Sequence, residues 1–483
     1  MSQQIAFVLD GEITTIGFEG SGLSPTTTVL NYLRSLPHHK GTKEGCAEGD
    51  CGACTVVLAG PGEDDHLRYR AVDSCLLFLP MLHGKQLITV ENLGSSTGTL
   101  HPVQQALVET HASQCGFCTP GIVMSLFALF KSAGELSRED IDDALTGNLC
   151  RCTGYRPIIE AAARACVHQG KDALTADEPR MVQLLKSISR ESLLIQTRTQ
   201  KYYQPATLPE ALTLRRQHPD AVVIQGATDV ALRVTKKHEL LKEIIDLSAV
   251  KALKQAAENE STMMLGAGLT LQEVMDIARV EFPALHGMLA VFGSRQIRNL
   301  ATLGGNVATA SPIGDTLPVL MAYNARVVLE SKAGPREVPI VDFITGYRKT
   351  DRHPDELVTS VKIPKLTDGV VIKSYKVSRR KDLDISTVSS AFRLQRNQRN
   401  NVVESIRIFY GGMADRTKRA RLAEQALIGK KWDRDSIEQA MPAIDSEFTP
   451  ISDARSSAAF RQVAARNLLL KFWSETINAS APA

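Results

Sequence analysis

All nine cysteines of this 483-residue chain fall between Cys46 and Cys166, and spacing sorts eight of them into two sets of four. The first set is Cys46, Cys51 and Cys54 in "EGCAEGDCGACTV", a C-x4-C-x2-C loop, completed by Cys75. The second is Cys115 with Cys118 in "QCGFCTPG" and Cys150 with Cys152 in "NLCRCTGY". The first spacing is that of plant-type [2Fe–2S] ligands. Three thiolates from one loop must wrap a compact, negatively charged cluster, so the backbone has to approach closely. Gly45, Gly49 and Gly52 permit that approach, and exposed N–H groups can bond to sulfur. Structural zinc usually pairs two short C-x2-4-C units across a longer gap, which the first set does not do; the second set suits either metal. Cys166, in "IIEAAARACVHQ", reads as a small buried hydrophobe. With no secretion signal a reducing compartment is expected, which argues against disulfides.

The elements that must hold these thiols can be read around them. "GIVMSLFALFKSAGELSREDIDDAL" is an apolar helical stretch, a Gly stop, and a new helix start at Ser137 with Asp140 three residues on. Both cysteine pairs of the second set then lie at helix termini, where unpaired N–H groups favour negative charge. The chain is too long for one core, so three or four domains are expected. Hydrophobic content of 43% and charged content of 23% describe a folded protein, and the net charge is only +3. The basic clusters "SRRKD" and "RTKRAR" lack interleaved aromatics and read as solvated faces, so no nucleic-acid partner is expected. No apolar run reaches the ~18 residues of a membrane span, and the chain is expected to be cytoplasmic.

Beyond residue 168, "HQGKDALTADEPRMVQ" is charged and apolar-poor and reads as a linker. In "AVVIQGATDVALRV" an apolar strand, a Gly turn and a helix from about Thr228 or Asp229 could offer N–H groups to a phosphate. It is no Rossmann fingerprint, and such a turn is more often structural than not. In "RNLATLGGNVATASPIGDTLPVL", Gly304 and Gly305 allow close approach, while Thr302, Asn306, Thr309, Ser311 and Asp315 offer short polar groups. That composition suits a dinucleotide or a tight interdomain loop.

Together, "GCAEGDCGACTVVL", "QCGFCTPGIVMS" and "LTGNLCRCTGYRPIIEA" resemble the two-cluster iron–sulfur module of the xanthine dehydrogenase (molybdenum hydroxylase) family. The resemblance implies a β-grasp, ferredoxin-like [2Fe–2S] domain at 1–94 and a four-helix [2Fe–2S] domain at 95–168. After a linker at 169–195, "VIQGATDV" and "SRQIRNLATLGGNVATASPIGD" resemble the flavin-binding stretches of the family's FAD domain, of vanillyl-alcohol oxidase type, placed at 196–370. Position by position, Val223, Ile224, Gln225, Gly226, Ala227, Thr228, Asp229 and Val230 match the pyrophosphate loop. Phe292, Thr302 and Asp315 match further FAD contacts, with Gly304, Gly305 and Asn306 beside them, and Val358 and Lys376 fall at two later ones. Thr302 replaces the family's serine and keeps its hydroxyl. "FITGYRKT" resembles the segment at the flavin's open face and puts Tyr347 where a nicotinamide approaches. "YKVSRRKDLDIS" resembles a charged loop beside the isoalloxazine, though the 378–385 run reads equally as solvated. Residues 371–483 resemble the family's α/β C-terminal domain, making the whole an α+β multidomain chain.

In that family hydroxylation takes place at molybdopterin in a large separate region, which this chain does not contain. The resemblance therefore implies the small iron–sulfur and FAD subunit of a bacterial-type xanthine dehydrogenase, with a large molybdopterin-binding subunit as partner in an α2β2 heterotetramer. The hydroxylation residues are expected on the partner. Electrons from hypoxanthine or xanthine would pass through two [2Fe–2S] clusters to FAD and then NAD+, with the order of clusters implied by resemblance alone. A sister hydroxylase for aldehydes, heterocycles or CO, a stand-alone flavin reductase, and an interaction protein with structural zinc are the alternatives.

Overall fold

The strands "QIAFVL" and "TVVLAGP" are apolar almost without interruption, the pattern of strands covered on both faces. In the computed structural model, which describes residues 2–62, 64–94, 98–132, 136–166 and 172–477, this is how they sit. Phe7, Leu9, Val56 and Leu58 enter one core, while Val8, Val57 and Ala59 enter another on the opposite face, as the two-residue side-chain period of a strand requires. Their sheet runs in the order Glu12–Gly17, Gln4–Leu9, Gln86–Ile88, Thr55–Pro61, Leu67–Asp73.

Contacts divide the chain into two compact units, and this first sheet belongs to the unit that runs up to Leu214 and adds Asp220–Val250 and Ser294–Ala301. One face of the sheet carries helix Val29–Ser35. The other carries helices Pro102–Glu109, Thr119–Phe130, Arg138–Leu145 and Arg156–Cys166. Ser137 caps the third of these and forms the expected box with Asp140. A second, four-stranded sheet of Leu193–Gln196, Lys201–Gln204, Glu243–Asp246 and Val222–Ile224 shares the first core through Ile195, Tyr202 and Ile244.

The stretch expected to be a linker contains the helix Ala173–Ser187. Met181, Val182 and Leu185 form a buried stripe on it, and Asp172 caps it by accepting from the Thr175 N–H at 2.7 Å. Charged residues in its first turns hid that apolar spacing in the sequence. Residues 95 and 168–169, at two expected domain boundaries, lie outside the described residues.

The second unit contains Arg215–Pro219, Lys251–Gly293 and the chain from Thr302 onward. It has an antiparallel five-stranded sheet in the order Ala256–Glu258, Thr262–Gly266, Leu357–Pro364, Arg326–Ser331, Gly334–Pro339. It also has a four-stranded sheet of Val370–Val377, Val388–Arg396, Val403–Gly411 and Lys418–Arg419. Helices Arg434–Glu447 and Ala458–Thr476 pack with this second sheet around Trp432, Phe392, Tyr410 and Phe472. The architecture is a multidomain mixture of helices and sheets. No helix among the described residues is long and apolar enough to cross a membrane.

Candidate functional site

Cys46, Cys51 and Cys54 lie in the loop entering strand Thr55–Pro61, and Cys75 follows strand Leu67–Asp73, so pairing of those strands delivers Cys75 to the loop. The thiols meet in two pairs, Cys46 with Cys51 and Cys54 with Cys75. Cys54 and Cys75 are buried, while Cys46 and Cys51 are half-buried. The N–H groups of Glu48 and Asp50 donate to Cys46 Sγ at 3.4 and 3.2 Å. The Cys46 thiol is lowered to about 6, chiefly by its hydrogen bond with Cys51 and then by those N–H groups. A Cβ on Gly45 would stand 2.7 Å from Cys51 Sγ, so the glycine makes room for sulfur. Gly52 does something else. It turns at φ +67°, and a Cβ there would meet the Gly147 carbonyl oxygen at 2.3 Å, which lies in the segment carrying the second cysteine set.

In that second set, Cys118 is the N-cap of helix Thr119–Phe130 with Cys115 just before it. Cys150 and Cys152 precede helix Arg156–Cys166. These four also meet in two pairs, Cys115 with Cys152 and Cys118 with Cys150. Cys150 Sγ lies 3.2 Å from Thr153 Oγ1, and the Cys150 N–H donates to the Tyr155 hydroxyl at 2.8 Å. Cys115 and Cys152 are exposed. Cys166 stands apart at its helix end, half-buried against the helical core, its thiol pushed up to about 11 by burial.

Three neighbours of these loops escaped the sequence reading. Asp73 is fully enclosed beside Cys54, its carboxyl pushed up to about 8 by burial and then by the Cys46 charge. Lys236 donates to the Cys46 carbonyl at 3.0 Å. Asn148 bonds to the Gly52 carbonyl at 3.1 Å. The only local signal for Asp73 and Asn148 was their position two residues before a ligand; Lys236 had none, since its partner is far away in sequence.

Some candidate flavin residues fall in the first unit and some in the second. Val223 and Ile224 end a strand in the first unit, and Gln225 to Val230 lead into helix Ala231–Thr235, which starts slightly later than expected. A Cβ on Gly226 would lie 1.8 Å from the Leu300 carbonyl oxygen, and Ala227 is left-handed at φ +61°. Gln225 Nε2 is buried with no hydrogen-bond partner among the described residues. In the second unit, Thr302 caps helix Leu303–Thr309 through the Gly305 N–H at 3.2 Å. A Cβ on Gly304 would press on Ala267 at 2.5 Å, whereas Gly305 is exposed and meets only Thr302 Oγ1. Asn306 accepts from the Thr316 hydroxyl at 2.5 Å. Asp315 and Lys376 form a buried ion pair at 3.0 Å, tied further to the Ser386 hydroxyl and to the carbonyl of Val291, the neighbour of Phe292. Val358 is buried in strand Leu357–Pro364. Tyr347 is 61% exposed at a hairpin tip.

Family comparisons agree with this layout. Residues 89–163 match a [2Fe-2S] binding domain, 196–366 an FAD binding domain in molybdopterin dehydrogenase, and 373–476 a CO dehydrogenase flavoprotein C-terminal domain. Xanthine dehydrogenase of Drosophila subobscura is 35% identical over 92% of this chain and 37% of its own. That of Emericella nidulans is 33% identical over 98% and 39%. The chain thus spans about two fifths of the length of these relatives. Among solved structures, a carbon monoxide dehydrogenase of Hydrogenophaga pseudoflava matches at TM-score 0.54 and 25% identity over 57% of this chain and 96% of that one. Quinoline 2-oxidoreductase of Pseudomonas putida 86 matches at 0.53 and 25% over 58% and 98%. With similarity to xanthine dehydrogenases along nearly all of its own length and successive [2Fe–2S] and flavoprotein domains, this chain belongs to the molybdenum hydroxylase family, as an iron–sulfur and FAD member.

Proposed function

We propose that this chain is the electron-transfer subunit of a cytoplasmic, NAD-dependent xanthine dehydrogenase. It would work with a large molybdopterin-binding partner in an α2β2 heterotetramer. The observation that carries the reading is the arrangement of eight thiols as two sets, each made of two pairs. Two thiolates per iron is the ligand pattern of a [2Fe–2S] cluster, whereas one zinc would gather four sulfurs round a single point. One cluster is assigned to Cys46, Cys51, Cys54 and Cys75, the other to Cys115, Cys118, Cys150 and Cys152. The domains are assigned as a β-grasp fold at 1–94, a four-helix fold at 95–168, a connecting segment at 169–195, a vanillyl-alcohol oxidase-type FAD fold at 196–370 and a C-terminal domain at 371–483.

For FAD, the buried unpartnered amide of Gln225 supports binding at 223–230, and the exposed Gly305 behind the Thr302 cap supports binding at Thr302 to Asp315. Bound flavin would take up electrons singly and release them in pairs as hydride to NAD+. The protein's part is positional. The Thr302 cap fixes the helix that presents Gly305, the Asp315–Lys376 pair keeps a charge-balanced polar wall, and Tyr347 offers an exposed ring for the nicotinamide. A sister substrate such as CO or a heterocycle is the second reading, favoured by the solved structures; those cover only 57–58% of this chain, whereas the xanthine dehydrogenases follow it almost throughout. Metal and flavin analysis of the native complex tests the assignment, with four irons and one FAD per chain expected together with xanthine-dependent NAD+ reduction. Zinc in place of iron would reject the cluster assignment. Iron and FAD without xanthine turnover would move the substrate to a sister class.

A further inference from the structure

The two thiol loops touch through their backbones. The Leu149 N–H donates to the Cys51 carbonyl at 3.0 Å, and Leu149 is peptide-bonded to Cys150. One ligand of each set is therefore joined to one of the other by a single hydrogen bond, with only backbone and Cβ atoms completing the route between their sulfurs. Beside this contact sits Asn148, 2% exposed. Its Nδ2 donates to the Gly52 carbonyl at 3.1 Å and to Thr55 Oγ1 at 3.3 Å. Its Oδ1 accepts from Ser125 Oγ at 2.6 Å and from Gln296 Nε2 at 2.9 Å. All the donors and lone pairs of this amide are thereby used. Gln296 is fully buried and reaches the network from a segment far along the chain. Although Gln296 Oε1 is buried with no partner among the described residues, the Asn148 amide beside it, fully paired in a dry interior, holds one geometry because turning it would leave its buried donors and acceptor unpaired. The glycines agree with this, since a Cβ on Gly121 would stand 2.1 Å from the Gly52 carbonyl. The sequence of contacts brings the loops together and then pins them.

We propose that Asn148, braced by Gln296, is a positioning residue for electron passage between the two cysteine sets, holding the Cys51–Leu149 hydrogen bond as the link. This rests on reading both sets as [2Fe–2S] clusters. One electron leaves the reduced cluster and one arrives at its neighbour, so no further reactant is needed. The test uses the intact complex and two variants, Asn148→Ala and Gln296→Ala. Both are expected to keep four irons and the separate spectrum of each cluster. In Asn148→Ala the magnetic coupling between the two reduced clusters, seen by low-temperature EPR, is expected to weaken. Electron equilibration between them after pulsed one-electron reduction should slow about tenfold, the low end of what losing an outer-shell partner costs. Gln296→Ala should move both readings in the same direction. An iron-replete Asn148→Ala with unchanged coupling and rate overturns the proposal. Should that variant lose iron, Gln296→Ala, whose side chain lies outside both loops, decides by the same two readings. Wild-type complex with fewer than four irons would instead remove the cluster reading itself.

Discussion

Gly226 and Gly305 lie in the two expected flavin stretches yet are glycine for different reasons. At Gly226 any Cβ would collide with the Leu300 backbone, so the residue is needed for the turn to form. At Gly305 the position is exposed and a Cβ would meet only the Thr302 Oγ1, at 3.0 Å, so once that hydroxyl gives way the space a side chain would fill is the space assigned to the dinucleotide. Gly305→Val is therefore expected to fold and to keep its iron, with flavin content falling to near zero. A well-folded Gly305→Val protein with full FAD would rule out this binding surface. Gly52 makes the same point in the iron–sulfur part: its partner is the Gly147 carbonyl and not a sulfur. The sequence showed that three glycines were needed in that loop; which of them faced sulfur and which faced a second loop depended on a segment nearly a hundred residues away.

Helix Ala173–Ser187 is held by one buried carboxylate. Asp172 caps the helix, pairs with His101 at 2.9 Å and with Lys131 at 2.5 Å, and its side chain is 2% exposed. Lys131 also lies over the Tyr69 ring at 5.1 Å from the centroid. Burial raises the carboxyl's pKa, but the hydrogen bonds from His101, Lys131 and Thr175 outweigh it and hold it well below the usual carboxylate range. A folded-state pKa below the unfolded one means the stabilisation is full above the unfolded value of about 3.9 and is lost as pH falls below it. Asp172→Ala should cost about 3–5 kcal/mol at neutral pH, because the buried Lys131 ammonium loses its anion and His101 Nε2 its hydrogen-bond partner. The difference in thermal unfolding midpoint between wild type and Asp172→Ala should shrink below about pH 4. A constant difference from pH 7 to 3 would show that the carboxylate's charge is not what holds the helix. The short helix Arg295–Arg298 is a comparable case. Its Arg298 is fully buried and paired with Asp143, and the adjacent Asn299 donates to the Ala71 carbonyl at 2.8 Å. Its sequence reads as part of a flavin stretch, while its side chains serve the iron–sulfur unit.

For the whole molecule, the proposed division of labour predicts that two activities can be separated. Hydride exchange between NADH and flavin needs only the flavin-binding residues and the approach near Tyr347, whereas xanthine oxidation needs the route through both cysteine sets and a partner. Cys115→Ser is expected to leave NADH oxidation by an artificial acceptor within about twofold of wild type, since hydride transfer to flavin bypasses the thiols. Xanthine-dependent NAD+ reduction should fall by at least about a hundredfold, the upper end of outer-shell losses being a floor for loss of a ligand itself. Equal loss of both activities in folded, flavin-replete protein would contradict the relay.

The amino-acid sequence by itself determined what lies within a few residues: the two cysteine sets, the Ser137 cap, the glycine turns and the helices flanking the second set. The cap, the turns and the closely spaced cysteines depend on hydrogen bonds or spacings closed inside one short segment, so local residue types suffice to specify them, whereas Cys75 reaches its set only through strand pairing. Only the tertiary structure decided what depends on partners distant along the chain. It showed that Gly52 admits the Gly147 loop, that a charged stretch expected to be a linker is a helix anchored by Asp172, and that Ser294–Ala301 packs with the iron–sulfur unit. Asn148 illustrates the difference most directly. Its place beside Cys150 is visible in "GNLC", but its four hydrogen bonds go to residues 52, 55, 125 and 296, and nothing local in the chain specifies which groups will meet there once the backbone is packed.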